Sequence, residues 1–322
     1  MSRSGLGFAR GFVALVLVAS GVGQAAAGSY SQVVSFGDSL SDVGNYAILT
    51  GNVLQPPYYM GRASNGPIWL DDLASKLGLP GPVPSLAGGT DYAYDGATAG
   101  PLATYVPNVQ QQVQLYLQSA HTADPKAVYT VWAGGNDFLG GGNDPAGSAS
   151  ADAAAVAALL GAGAKTVIVP NLPALGITPY GQSLGTAGAA ALSKVTLEFD
   201  ADLAADLATL RTAYPGAKLD LLDVNALSNA ILKDPAAYGI TDTTDAALTL
   251  LQEGQNINPN TFLFWDGVHP TATGHALIAD AAFAALVPEP TGLTLAGVCL
   301  GGLALRAWRR LRASAAKTSV QA

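Results

Sequence analysis

Only one cysteine, Cys299, occurs in the 322 residues, and it falls inside an apolar stretch near the C-terminus. The rest of the chain can therefore form no internal disulfide, no thiol nucleophile and no cysteine-based zinc site. Charge is also sparse, at 12% of residues against 49% hydrophobic, which suits a chain that buries a full core. Positive charge is scarcest of all. Between residues 28 and 287 stand eight Lys and Arg against 22 Asp and Glu, a formal charge of −14 with histidines neutral. Nucleic acid and anionic membrane surfaces both require a basic face, so neither is expected as a partner. No metal-ligand cluster and no internal repeat are visible, and three histidines are the whole supply of imidazole.

The two ends differ from the body in composition. Arg3 and Arg10 precede "GFVALVLVASGVG", followed by the small residues of "QAAAGS", the pattern of a secretory signal with its cleavage site, assigned to residues 1–27. At the other end "VPEPTGLTLAGVCLGGLALRAWRRLR" joins two prolines, an uncharged apolar stretch from Thr291 to Leu305, and Arg306, Arg309, Arg310 and Arg312. The apolar part is shorter than the ~20 residues of a typical membrane-crossing helix, a difference that tilt or bilayer thinning absorbs. The arginines after it would stay cytoplasmic. Residues 288–322 resemble the PEP-CTERM sorting signal of exported Gram-negative bacterial proteins. The resemblance implies export to the periplasm, cell surface or medium, and an exosortase-type partner that processes the tail. A plain C-terminal membrane anchor is the alternative.

Between the ends, residues 28–287 read as one α/β domain. Apolar runs at 33–36, 127–134, 165–170 and 218–224, with a weaker one at 90–95, alternate with helical spacing, the signature of a parallel sheet covered on both faces. One helix is predicted around Trp69, Leu70, Leu73 and Leu77, with Pro67 in its first turn and Gly78 at its stop. Another runs from Asn108 through Leu117. The longest covers about 187–213, with Asp200, Asp202 and Asp206 on a solvated face that carries no chemistry. A last helix follows "HPTATG", and 140–163 reads as a loop passing into a helix.

The stretch "VVSFGDSLSDVGN" ends a buried-looking strand in Gly37, Asp38 and Ser39. A serine hydroxyl becomes a nucleophile only with a base, a group that orients the base, and donors for the oxyanion. Alone, Ser39 would read as the cap of a following helix, whose free N–H groups would favour negative charge. His121 reads as a solvated helix-terminal residue and His275 as a surface or packing residue. His269 differs. It stands in "FLFWDGVHP", where Asp266 precedes it by three positions in a turn compact enough for the carboxylate to reach one ring nitrogen while the other faces outward. "VWAGGNDFLG" brings Asn136 to a strand end, where ligands bind in open α/β folds, and "TDYAYDGATAG" brings Gly96. A second "GGND" at 141–144 follows no strand, so Asn143 and Asp144 are expected in a loop. "GAGAKT" at 161–166 precedes a strand, unlike a phosphate loop, and no G-x-S-x-G elbow frames Ser39.

With Gly37-Asp38-Ser39-Leu40, Gly96, Gly135-Asn136-Asp137 and Asp266-x-x-His269 in this order, the chain resembles the GDSL, or SGNH, serine hydrolases over almost all of residues 31–287. The resemblance implies a flavodoxin-like three-layer α/β/α sandwich with a parallel central sheet. It also implies Ser39 as nucleophile, His269 as general base and acid, Asp266 as its orienting carboxylate, and an oxyanion hole of the Ser39 and Gly96 N–H groups with the Asn136 side chain. Asp95 departs from the pattern, standing where many relatives place glycine. The expected activity is cleavage of a small-molecule or lipid carboxylic ester through an acyl-enzyme, with no cofactor. An acyltransferase or an exopolysaccharide deacetylase on the same site is an alternative, the latter suggested by the sorting tail. A non-catalytic surface binding protein is another. Tyr58, Tyr59, Met60 and Phe262, in the loops 44–66 and 225–262, either line an acyl site or pack those loops.

Overall fold

The computed structural model describes residues 30–101 and 105–287. The expected signal at 1–27 and the expected sorting segment at 288–322 lie outside the described residues, among which no helix is long and apolar enough to cross a membrane. Four strands, β1 (Val33–Gly37), β2 (Val128–Trp132), β3 (Thr166–Pro170) and β4 (Lys218–Leu222), lie side by side in that order and all parallel. Gly37 stands opposite Trp132 and Pro170 opposite Leu222, so carboxyl ends of the strands align into a common rim. Every residue of β1, β2 and β3 is buried, as in parallel strands covered on both faces. The weak run at 90–95 forms no strand, and its Asp91 bridges Ser35 on the outer side of β1 and Pro84. A separate parallel pair joins β5 (Asp242–Ala246) to β6 (Phe262–Phe264).

The helices are α1 (Asn45–Thr50), α2 (Trp69–Leu77), α3 (Val109–Ala120), α4 (Gly135–Leu139), α5 (Pro145–Gly161), α6 (Pro179–Ser183), α7 (Gly185–Ala213), α8 (Val224–Lys233), α9 (Ala247–Gln252) and α10 (Ala272–Leu286). Alternate strand residues, Val34 and Phe36, Tyr129 and Val131, Val167 and Val169, pack into one core with apolar side chains of α3, α5 and α7. The opposite face is covered in turn, with Trp132 meeting Trp69 of α2 edge to face at 5.5 Å. This gives the expected three layers.

Several boundaries differ from expectation for local reasons. Pro67 lies ahead of α2 rather than in its first turn, because the Asp71 carboxylate accepts the Ile68 N–H at 2.9 Å and starts the helix there. Gly78 ends α2 in the left-handed region at φ 69°, as anticipated. The loop from 140 becomes helix at Pro145, where the Asp144 side chain accepts the Gly147 N–H, so the second GGND copy is indeed a loop and cap. Asp200 does not belong to a solvated face. Its carboxylate accepts the Leu172 N–H at 2.9 Å and Asn225 Nδ2 at 3.0 Å, pinning the segment after β3 to the start of α8, and burial raises its pKa to about 7.

Candidate active site

β1 delivers Ser39 to the rim through a residue that only glycine satisfies. Gly37 has φ 157°, and a Cβ there would sit 2.3 Å from the Trp132 carbonyl oxygen. Gln112 of α3 fixes this point from below by accepting the Gly37 N–H at 2.8 Å and donating to the Gly37 carbonyl at 2.9 Å. After it the chain bends once, the Ser41 and Asp42 N–H groups donating to the Asp38 carbonyl at 3.0 and 2.9 Å. Ser39 caps no helix, contrary to the simplest reading of its sequence. The next helix starts at Asn45, because Asp42 rather than Ser39 accepts the N–H groups of Gly44, Asn45 and Tyr46 at 2.7 to 3.0 Å.

The same stretch ties the Ser39 turn to the segment bearing Gly96. Asp42 also accepts the Asp95 N–H at 2.9 Å, and Asn45 Nδ2 donates to the carbonyls of Asp91 and Ala93. Asp91, fully buried, accepts from Ser35 Oγ and the Val43 N–H. From the other side, Asn136 in the first turn of α4 donates to the Ala97 carbonyl at 2.8 Å, and Asp137 accepts the Ala99 and Gly100 N–H groups at 2.9 Å each. Gly96 is in the left-handed region at φ 78°. The Gly-Asn-Asp block therefore clamps the Gly96 loop and still leaves Asn136 a second amide hydrogen.

The base stands on a short turn after β6. The Trp265 N–H donates to the His269 carbonyl at 2.8 Å, and Phe264 bridges Pro270, so 265–270 closes tightly on itself. Within it Asp266 Oδ1 accepts the N–H groups of Val268 and His269 at 3.0 and 2.9 Å. His269 Nδ1 lies 2.8 Å from Asp266 Oδ2, and His269 Nε2 lies 2.8 Å from Ser39 Oγ, across 230 residues of sequence. Burial alone would raise the Asp266 carboxyl, but the hydrogen bond and charge of His269 and the two N–H groups hold it down at about 2. Burial alone would likewise lower the imidazole pKa, yet the bond and charge of Asp266, helped by Asp95 and Asp38, raise it above its ordinary value. Asp38 is pushed up to about 7 by burial.

The other histidines fall outside the site. His121 is exposed at the end of α3. His275 is a packing residue, wholly buried, and burial depresses its pKa to about 3, which keeps it neutral.

Ser39 forms part of the walls of two cavities. One, of about 540 Å³, is lined by His269, Asn136, Leu139, Leu172 and Leu175 among others. The second, of about 240 Å³, is lined by Asp42, Tyr46, Asn52 and Asp95. Asp95 borders both, and burial raises its pKa against the pull of His269. Gly96 lines neither cavity.

One contact went unseen in the sequence. The Tyr58 hydroxyl donates to Asp266 Oδ2 at 2.8 Å, one of the two carboxylate oxygens within reach of His269 Nδ1, while its ring meets Trp265 edge to face. Its partner lies 208 residues away, and only its aromatic character within the 44–66 loop marked it. Of the other loop aromatics, Phe262 packs with Ala247, Leu248 and Trp265, and Tyr59 stacks under Arg62. Neither they nor Met60 line the cavities at Ser39.

Residues 33–282 match the model of the GDSL-like lipase/acylhydrolase family. The chain is 29% identical to the phosphatidylcholine-sterol acyltransferase of Aeromonas hydrophila, over 79% of this chain and 89% of that one. It is 31% identical to the esterase EstA of Pseudomonas aeruginosa over 84% of this chain, but spans only 49% of that relative's length. Among solved structures it resembles Est24, a carbohydrate acetylesterase from Sinorhizobium meliloti, at 15% identity and a TM-score of 0.44, covering 78% of this chain and 96% of the other. With a family match that runs from the first strand into the last helix, this chain belongs to the GDSL-like lipase/acylhydrolase family.

Proposed function

We propose that the protein hydrolyses carboxylic esters through an acyl-enzyme on Ser39, and the observation that carries this is the 2.8 Å separation of Ser39 Oγ from His269 Nε2 with Asp266 behind the ring. Attack of Oγ on the ester carbonyl passes the serine proton to Nε2, and Asp266 holds the tautomer in which Nδ1 carries its hydrogen. The oxyanion would receive the spare Asn136 amide hydrogen with the Ser39 and Gly96 N–H groups. Collapse expels the alcohol, which takes its proton from His269, and water then releases the acid by the same steps in reverse. The raised imidazole pKa supports the first step of this cycle, since a more basic ring is the better proton acceptor from Ser39.

In this reading residues 1–27 direct export, 28–287 carry the chemistry, and 288–322 are recognised by exosortase-type sorting machinery. Replacing Ser39 by Ala should lower turnover of p-nitrophenyl butyrate by about 10³-fold or more; equal turnover by both proteins removes the mechanism. A second reading, transfer of the acyl group to an alcohol rather than to water, is favoured by the relative named as an acyltransferase. Product analysis with added alcohol separates the two, because transfer gives a new ester and hydrolysis gives free acid.

A further inference from the structure

An apolar cavity of about 550 Å³ adjoins the Ser39 cleft. Leu40, Pro173 and Val268 belong to the walls of both. Two of the three are sequence neighbours of the reacting pair, Leu40 following Ser39 and Val268 preceding His269, so the apolar cavity begins one residue from the hydroxyl and the imidazole. Deeper in, Ile231, Leu263, Phe264 and Ile278 are buried, and the first three pack in one hydrophobic cluster. The hydroxyls in this wall, those of Thr178 and Ser228, donate to the Leu175 and Val224 carbonyls. Such a lining suits hydrocarbon and gives a polar ligand little to bond. The cavity on the other side of Ser39 has the opposite character, with Asp42, Asp95, Tyr46 and Asn52 in its wall.

From this asymmetry we propose that the apolar cavity receives the acyl chain of the ester and the Asp95 cavity its alcohol. The substrates are then esters of medium- or long-chain fatty acids, not acetates. This assignment rests on the hydrolase reading above and adds a direction to it. Each methylene that leaves water should raise kcat/KM by about fourfold.

Ethyl octanoate and octyl acetate test the direction, because they are isomers and differ only in the side of the ester that carries the chain. Wild-type protein should hydrolyse dissolved ethyl octanoate with kcat/KM at least about tenfold above octyl acetate, several methylenes being buried in one case and not the other. Ala174→Phe places a ring in the cavity wall and should abolish this preference while leaving ethyl acetate hydrolysis close to wild type; Ser228→Leu is the milder variant if the first fails to fold. Equal rates on the isomers, a preference for octyl acetate, or a preference that survives in a variant still active on ethyl acetate would overturn the assignment. The wild-type comparison decides even if neither variant folds. Hydrolysis of ethyl acetate without preference for octanoate sinks the acyl cavity alone, whereas no hydrolysis of any of the three esters sinks the hydrolase reading and the cavity with it.

Discussion

Asp42 and Asp266 each hold a turn beside Ser39 by collecting hydrogen bonds, yet their carboxyls move in opposite directions. Asp42 accepts four backbone N–H groups, from Gly44, Asn45, Tyr46 and Asp95, and its pKa is still raised, because burial outweighs four neutral donors. Asp266 accepts two backbone N–H groups, a phenol and an imidazole, and is held near 2 despite burial. The difference is a partner that can carry charge. At Asp42 the backbone donors tie a loop down without offsetting burial, whereas the Asp266 turn adds an imidazole partner whose bond and charge do.

The comparison breaks most visibly if each aspartate is made an amide. Asp266→Asn should lower kcat/KM by about 10³ to 10⁴-fold, since the amide no longer fixes the ring tautomer or steadies the imidazolium. Asp42→Asn should act on stability instead. Its amide nitrogen would face N–H groups that need an acceptor, at a cost of about 1–3 kcal/mol for each one left unpaired. Calorimetry should therefore show a lower Tm for Asp42→Asn, with the kcat of the folded protein near wild type. A steep loss of kcat in Asp42→Asn at unchanged Tm would mean that both turns serve the proton transfer directly.

Tyr58→Phe is a finer probe of the Asp266 turn. The phenyl ring keeps the contact with Trp265 and removes only the donor to Oδ2. The carboxylate then shares its charge with one side chain fewer and pairs more strongly with the imidazolium. The acid limb of kcat/KM should move to higher pH, and plateau kcat should fall by about tenfold as the carboxylate loses one of its fixed directions. KM should hold, because Tyr58 lines neither cavity at Ser39. An unchanged pH profile would reduce Tyr58 to a packing residue.

How much of this was legible in the chain depended on where each partner sits. Three central strands, β1 to β3, were readable because burial on both faces leaves apolar runs, as in "VVSFG" and "TVIVP", and β4 from the leucines of "KLDLL" although it is only partly buried. β5 was not, since "DTTDA" buries only its last residue and has neither an apolar run nor alternation. Ser39, Asp266 and His269 were readable through chemistry that needs just those residue types. Asp200 was misread because helical spacing puts it with Asp202 and Asp206, and spacing along one helix is blind to Leu172 and Asn225 on other elements. The roles of Asp42, Asn45 and Asp137 as ties between loops were missed for the same reason. Their donors belong to turns whose approach is decided by the fold, not by neighbouring letters.

Asp95 gives the smallest and most directional test. It borders both cavities at Ser39 and adds to the charge that raises the His269 pKa. Asp95→Asn keeps the backbone N–H that donates to Asp42 and removes one negative charge near the ring. The imidazolium is then less favoured, His269 becomes neutral at lower pH, and the acid limb of kcat/KM should shift downward by a fraction of a pH unit, opposite to the shift in Tyr58→Phe. Plateau kcat should rise modestly, because a carboxylate close to the oxyanion opposes the charge that develops there. Should both variants move the limb the same way, the ring's ionisation is governed by something other than the charge around it, and the contrast between a carboxylate that ties a loop and one that sets a proton loses its basis.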